Sequence, residues 1–453
     1  MPVNHLEDAP LSRFHKKLAL FSSGGPFLDG FVLSIIGIAL VQASPALGLS
    51  SSAEGLVGAA ALIGIFLGGF LGGWLTDIFG RHHLFTIDLI AIIGLSAAQF
   101  FVTEAWQLIV LRLLIGVAVG ADYPIATSLL AEFSPRKYRG PLLGAFVTMW
   151  FVGAAAAYLV GEALLSVDGG WRWMLASAAL PGLIIVVCRI GTPESPRWLV
   201  QKGRLDEAAA VMRKVFGPQA TLDDIEPDTE GTVGLGALLR SGYGKRMAFI
   251  TLFWTASIVP LFAIYAFGPK ILGALSLGDS ADTVGAAVIS VMFLVGCVLS
   301  LLLVNRIGRR PLILHSFVWA GLAMLALGLF PDAPVAVVMG LFVAYAIFIG
   351  GSQILQWIYP NELFPTEIRG SAVGLASSLS RIGAAVGTYL VPLSLAGLGI
   401  GPTMVIGAVI TLLGFVVSWA WAPETRNLSL SQASGLTAAP TTATTADRGG
   451  VAA

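Results

Sequence analysis

Long apolar runs broken by short charged turns make up most of the chain. A membrane helix needs about 20 mostly apolar residues. Twelve stretches meet that length, near 18–42, 53–75, 84–102, 106–131, 141–164, 173–191, 246–269, 283–304, 311–330, 334–358, 370–394 and 401–421. Between the sixth and seventh lies a polar stretch in which Leu205, Ala208, Ala209, Met212, Val215 and Phe216 recur at helical spacing. That spacing predicts a short amphipathic helix on the membrane surface, ended by Gly217-Pro218. Residues 431–453 are mostly Thr, Ala and Gly, the composition of a disordered segment. The predicted organisation is an N-terminal six-helix bundle over 1–191, a cytoplasmic linker with the amphipathic helix over 192–245, a C-terminal six-helix bundle over 246–422 and a mostly disordered cytoplasmic tail over 423–453. The fold class is therefore an all-α membrane protein with 12 transmembrane helices in two bundles.

Composition explains why lipid must surround this chain. Of its 453 residues 56% are hydrophobic and only 11% charged, against about a quarter charged in ordinary globular domains. Net charge is zero, which offers nothing to nucleic acid. Of the 26 Lys and Arg, 21 fall on one set of alternate segments, while Lys270 sits in an outer loop. Positive charge stays inside, so both termini are expected in the cytoplasm. The expected setting is a bacterial cytoplasmic (inner) membrane, which the protein crosses many times as a functional monomer in contact with lipid. Cys188 and Cys297 lie inside apolar runs and read as small core hydrophobes. The first 17 residues carry no cleavable signal pattern. No Gly-x-Ser-x-Gly elbow, His-Glu-x-x-His pair or phosphate loop occurs, and the five histidines are scattered, so no enzyme chemistry, metal site or cofactor is expected.

The chain repeats itself. The turn Gly72-Gly-Trp-Leu-Thr-Asp77-Ile-Phe-Gly80-Arg81 has a second version in Asn305-Arg306-Ile-Gly308-Arg309-Arg310, 228 positions later. Glu132, Pro135, Arg139 and Gly140 recur as Glu362, Pro365, Arg369 and Gly370, and Pro193-Glu194 recurs as Pro423-Glu424, both at an offset of 230. Echoes in one register are the mark of an internal duplication, common in secondary transporters. These turns, with Arg112-x-x-x-Gly116-x-x-x-Gly120 and Pro193-Glu-Ser-Pro-Arg-Trp198, resemble the major facilitator superfamily over about residues 15–428, most of all its sugar-porter and metabolite–proton symporter branches. The resemblance implies two bundles rocking about a substrate held between them near the midplane.

An ionisable side chain inside a bilayer costs about 3 kcal/mol or more and so needs a reason. Asp29, about 11 residues into the first span, lies roughly 16 Å deep on the helical rise, and Arg112 enters the fourth span about 9 Å from the outer side. Their levels allow an ion pair that protonation of Asp29 would release, a proton switch; a static structural pair is the alternative. The resemblance adds that several relatives carry a proton-coupled Asp on the matching helix. Asp122, in Gly120-Ala-Asp122-Tyr123-Pro124, resembles the run in phosphate and organic-anion symporters and reads either as a second protonation site or as a buried hydrogen-bonded Asp. Arg381, about 16 Å into the eleventh span, offers a planar fork to a carboxylate or phosphate, unless it pairs with an acid such as Glu162. Gln353, Gln356 and Trp357 in the tenth span and Tyr265 in the seventh are further candidate substrate contacts. Trp357 matches the tryptophan that lines the site in sugar porters; an interfacial belt residue is its alternative. The glutamine that hexose porters place in the fifth span falls at Val147 here, and their amide cluster in the seventh is missing, which points away from hexose.

The repeated turns read as a conformational latch on the cytoplasmic face, with Asp77, Gly80, Arg81, Glu132 and Arg139 on one side and Asn305, Arg309, Glu362 and Arg369 on the other. Solvated turn charges explain the basic residues but not the repeated acids. The expected function is secondary active transport of a small, anionic organic metabolite, of organic-acid or sugar-acid type, by alternating access and driven by a proton gradient. A hexose or polyol symporter or facilitator is the nearest alternative. A membrane solute sensor is the alternative of a different class; sensors of this shape usually carry long cytoplasmic extensions, and this chain ends in a short Thr/Ala tail.

Overall fold

A computed structural model describes residues 10–79, 81–134, 136–190, 192–225, 243–275, 281–364, 366–426 and 428. Its regular elements are all helical among these residues. The N-terminal half comprises α1 (Arg13–Ala46), α2 (Ser51–Phe79), α3 (Arg81–Ala98), α4 (Ala105–Phe133), α5 (Arg136–Leu164), α6 (Gly170–Ala176) and α7 (Ala179–Arg189). Two short helices follow, α8 (Pro196–Gln201) and α9 (Leu205–Phe216). The C-terminal half comprises α10 (Gly244–Ala274), α11 (Ala281–Ile307), α12 (Arg309–Leu329), α13 (Val335–Leu363), α14 (Thr366–Gly397) and α15 (Ile400–Trp421). Eleven segments are long and apolar enough to span a bilayer, and Thr86–Phe101 is a shorter apolar one, which accounts for the twelve expected spans.

The sixth span is broken into α6 and α7, which the hydrophobic pattern did not show. Pro181 explains it. Proline has no N–H to give Ser177 O four residues back, and Leu180 N bonds that carbonyl instead at 3.1 Å. The same chemistry shapes α10. Pro269 leaves Tyr265 O without its helical donor, and Phe267 leaves helical geometry at φ −135°, ψ 20°.

Helix α9 ends at Gly217, whose φ of +108° suits a residue without Cβ. Its apolar side is covered by protein. Met212 packs with Ala220, Phe216 and Leu222, while Ala208 meets Trp198 and Leu199. Phe216 also stacks on Phe133, at the end of α4, and lies 5.8 Å from the His15 ring on α1. The linker helices thus ride on the cytoplasmic end of the N-terminal half. The tail from 429 lies outside the described residues.

Within the halves α1 packs on α5, α2 on α4, α12 on α15 and α11 on α13; between them α1 meets α10, α5 meets α11 and α2 meets α14. Helices in lipid gain little from apolar burial and rely on close backbone approach. The α2–α4 contact shows this at Gly116 and Gly120, where an added Cβ would fall 2.1 Å from Ala61 O and 2.4 Å from Ile65 O. Backbone cannot yield as a side chain can. Gly116→Val is therefore expected to destabilise the N-terminal half by about 1–3 kcal/mol. Thermal unfolding in detergent would show it, and an unchanged midpoint would refute the tight contact.

Candidate functional site

A small, partly open cavity of about 50 Å³ lies between the two halves. From the N-terminal half it is lined by Pro26 on α1 and by Val147, Trp150 and Phe151 on α5. From the C-terminal half come Ile258, Leu261 and Phe262 on α10, Gln353, Gln356 and Trp357 on α13, and Arg381 on α14. Four of the residues singled out in the sequence as substrate contacts therefore share one wall. Their orientation is fixed by a ladder of hydrogen bonds. Ser257 and Ser352 hydroxyls meet at 2.6 Å, Gln353 Nε2 donates to Ser257 Oγ at 2.7 Å, and Gln356 Nε2 donates to Gln353 Oε1 at 3.0 Å. Gln353 is thereby engaged on both ends, and Gln356 keeps its Oε1 for a ligand. Arg381 is buried with its Cζ 5.3 Å from the Phe262 ring centre, a cation–π distance. Trp357 sits edge-on to Trp254 at 5.5 Å.

Tyr265 does not line the cavity. It lies one layer behind, its ring 5.4 Å from Trp150 and 5.1 Å from Phe293. Trp150, Phe151 and Phe262 are the lining aromatics that sequence reasoning missed. Nothing but three-dimensional contact separates them from packing residues.

The ionisable groups inside the spans are arranged differently from expectation. Asp29 is fully buried, and neither carboxylate oxygen has a hydrogen-bond partner. Arg112 does not pair with it. Arg112 Nη1 donates to Val32 O at 2.5 Å, three residues farther along α1 and so about 4.5 Å nearer the outer side. The arginine meets a backbone carbonyl at its own level. Asp29 instead lies within electrostatic reach of Asp122, Arg189 and Arg381. Asp122 makes an ion pair with Arg189, Oδ1 to Nη1 at 3.4 Å. Glu162, the alternative partner for Arg381, has a buried Oε2 that meets no donor. Asp88 on α3 joins the group beside Asp122. Asp88 was not singled out in the sequence, where its signal is an isolated acid near the start of the apolar run 84–102.

On the outer side of the cavity the halves are bridged. The carbonyl of Tyr265, freed by Pro269, accepts from Tyr158 Oη of the other half at 2.8 Å. Ser52 Oγ and Tyr389 Oη meet at 3.2 Å. Lys270 of α10 forms an ion pair with Glu54 of α2, which also accepts from Ser44 Oγ. A second cavity, of about 250 Å³, lies beside that pair.

At the cytoplasmic end the described part of the latch is in the C-terminal half. Arg309 Nη2 and Nε reach Glu362 Oε1 at 2.8 and 3.2 Å, and Arg309 Nη1 reaches Asn305 Oδ1 at 3.2 Å. Thr425 Oγ1 donates to the other Glu362 oxygen. Glu424 caps α12, accepting from the backbone N–H of Arg309 and Arg310 at 3.1 and 3.0 Å. Gly308 permits this, with φ +103° and a Cβ position 2.7 Å from Glu424 Oε2. Burial pushes the Glu424 carboxyl up, but backbone donors from Arg426, Arg309, Arg310 and Thr425 outweigh it and hold the group below its ordinary range. Gly80 and the side chains of Asp77, Arg81, Glu132, Arg139 and Arg369 lie outside the described residues.

Comparison with known proteins gives these features a family. Residues 18–436 match the family model for "Sugar (and other) transporter". A protein of Escherichia coli (strain K12) named for metabolite transport, YaaU, is 46% identical, with 96% of this chain and 98% of that protein covered. The inner membrane metabolite transport protein YgcS of the same organism is 41% identical over 94% of this chain and 95% of its own length. Neither name specifies a substrate. Among solved structures, the partially occluded inward-open conformation of the xylose transporter XylE from E. coli superposes with a TM-score of 0.78, covering 91% of this chain and 99% of that one at 22% identity. At that identity the likeness is one of fold.

The Tyr158–Tyr265 bond yields a direct test of the outer closure. Tyr158→Phe leaves a buried carbonyl unsatisfied only while the halves are closed, at a cost of about 1–3 kcal/mol. The closed state should lose population, and a cysteine at Ser52 in a cysteine-free background should label faster from outside, by about fivefold or more. Unchanged labelling would remove this bond from the gate.

Proposed function

Because the chain belongs to the sugar (and other) transporter family of the major facilitator superfamily, we propose that it carries a small organic anion, of organic-acid or sugar-acid type, together with a proton. The chain is a multi-pass membrane transporter of the sugar and metabolite class, placed with its inner-membrane relative, and it moves solutes without transforming them. The finer reading rests on one observation. Arg381, the only cationic residue in the wall of the described cavity, faces a lining in which Val147 takes the place of a hydrogen-bonding amide. A guanidinium held against an aromatic face is poised for bidentate contact with a carboxylate or phosphate.

Coupling to a proton follows from the same charge. Asp29 lies within electrostatic reach of Arg381, the group to which the proposed substrate anion binds. An anion bound there disfavours the ionised form of Asp29, so substrate and proton favour each other's binding, and by linkage the effect is reciprocal. The Asp29–Arg112 switch expected from the sequence gives way to an Asp29–Arg381 relation across the two halves. The second reading, a neutral sugar, draws on the Gln353–Gln356 ladder beside Trp357, since amides and an indole face suit hydroxyls and a sugar ring.

Uptake of labelled organic acids, sugar acids, phosphate and hexoses into proteoliposomes, with and without an imposed pH gradient, tests transport against sensing and anion against sugar. Arg381→Lys keeps the charge and loses the fork. Binding of an anionic substrate should weaken by about 1–3 kcal/mol; undiminished affinity, or uptake of hexoses alone, would overturn the anion reading. Asp29→Asn imitates the protonated form. It should abolish accumulation driven by a pH gradient while exchange at equal pH continues in part, and full pH-driven accumulation would remove Asp29 from coupling.

A further inference from the structure

The central cavity has few groups for a ligand's hydroxyls. Among the described residues Arg381 is the one cation in its wall, and Gln353 and Gln356 are the only amides. Gln353 is fully engaged within the protein. Its Nε2 donates to Ser257 Oγ at 2.7 Å and approaches Ser257 O at 3.4 Å, and its Oε1 accepts from Gln356 Nε2 at 3.0 Å. Gln356 Oε1 is thus the one side-chain acceptor that the described lining offers to a ligand. Asp29 is fully buried and is not part of that lining. Pro26 and Pro260, inside α1 and α10, deprive Ser22 O and Ala256 O of their helical donors, but neither of those residues lines the cavity. A hydroxyl buried in such a site must donate to something, and each one left without an acceptor weakens binding by about fivefold or more. A sugar acid brings a row of hydroxyls to a single acceptor. A carboxylate with one further hydroxyl is all that this wall satisfies.

The rest of the lining is apolar, and four of its members are aromatic: Trp150 and Phe151 from the N-terminal half, Phe262 and Trp357 from the C-terminal half. These rings meet across the interface. Trp150 lies edge-on to Phe262 at 5.8 Å with an interplanar angle of 86°, and edge-on to Phe151 at 5.1 Å. Phe262 in turn holds the Arg381 guanidinium 5.3 Å from its ring centre. Cation and aromatic wall are therefore neighbours, and a ring joined directly to a carboxylate would meet both at once. Contacts between rings add affinity beyond the area they bury, which a saturated ring or chain does not gain. A flat, rigid ligand also loses little conformational freedom on entering a small cavity.

We propose, on the anion reading above, that the transported anion is an aromatic monocarboxylate of benzoate type carrying at most one ring hydroxyl. Its carboxylate engages Arg381, its ring packs among Trp150, Phe262 and Trp357, and the hydroxyl, where present, donates to Gln356 Oε1. One cation in the wall matches one carboxylate. A second carboxylate would stay unpaired where an uncompensated charge is strongly unfavourable.

Calorimetric binding to the purified protein in lipid nanodiscs separates the classes. The probes are benzoate, meta- and para-hydroxybenzoate, cyclohexanecarboxylate, gluconate and glucose. Benzoate should bind more tightly than cyclohexanecarboxylate by about fivefold or more, and more tightly than gluconate by about tenfold or more. Cyclohexanecarboxylate keeps the charge and the size and lacks the π face, so equal affinity for it overturns the aromatic class. Gluconate binding as tightly as benzoate overturns the proposal and leaves the anion reading standing. Binding of glucose with none of the acids defeats the anion reading itself, and the proposal with it. Gln356→Leu should abolish the difference between benzoate and the tighter-binding hydroxybenzoate; a difference that survives removes Gln356 as the acceptor. Trp150→Leu should narrow the gap between benzoate and cyclohexanecarboxylate, and an unchanged gap takes Trp150 out of contact with the ring.

Discussion

A carboxylate surrounded by lipid-facing protein must be given a cation, a proton or a conformational reason to stay. Most of what is distinctive in this chain follows from that constraint. Asp29, Asp88 and Asp122 are buried in one half with Arg189 as the cation beside them, and Arg381 approaches from the other half. Removing such charges would be simple, because apolar residues of similar size would pack at least as stably. Their presence is a sign of work done by charge, in a region where a change of protonation alters the balance of several kcal/mol at once.

The rest of the fold lets these groups meet. Close backbone approach at Gly116 and Gly120 joins α2 to α4, and Gly25 lets α1 settle on the Asp122 carboxylate. Two prolines spend helix hydrogen bonds on geometry. Pro181 breaks the sixth span; Pro269 releases a carbonyl that the opposite half then claims through Tyr158. In this second case a local defect becomes a contact between moving bodies.

Much of this could be read from the chain. The spans are legible because lipid imposes a length and a composition on them, and the duplicated turns are legible because they recur in one register. Gln353, Gln356, Trp357 and Arg381 could be grouped because polar residues stand out in apolar helices, and the fold brings them to one cavity. Partner choice was less legible. Arg112 and Asp29 have compatible depths, but depth leaves the direction around the helix axis open, and the arginine found Val32 O. Tyr265 shares the composition of a ligand contact and the position of a packing residue, and only the placement of Trp150 tells the two apart. Asp88 escaped notice because a hydropathy boundary blurs by about a turn, the same distance that separates a surface acid from a buried one.

The cavity wall is divided unequally between the halves. Its hydrogen-bonding and cationic groups, Gln353, Gln356 and Arg381, belong to the C-terminal half, and the N-terminal half supplies Pro26, Val147, Trp150 and Phe151. The buried acids lie on the opposite side of that division. On the proposed function, cargo selection and fuel use are thus inscribed on different copies of one ancestral unit, and they touch where Asp29 feels Arg381. Descendants of such a duplication can exchange one cargo for another by altering a single copy, so long as that one point of contact keeps its sign.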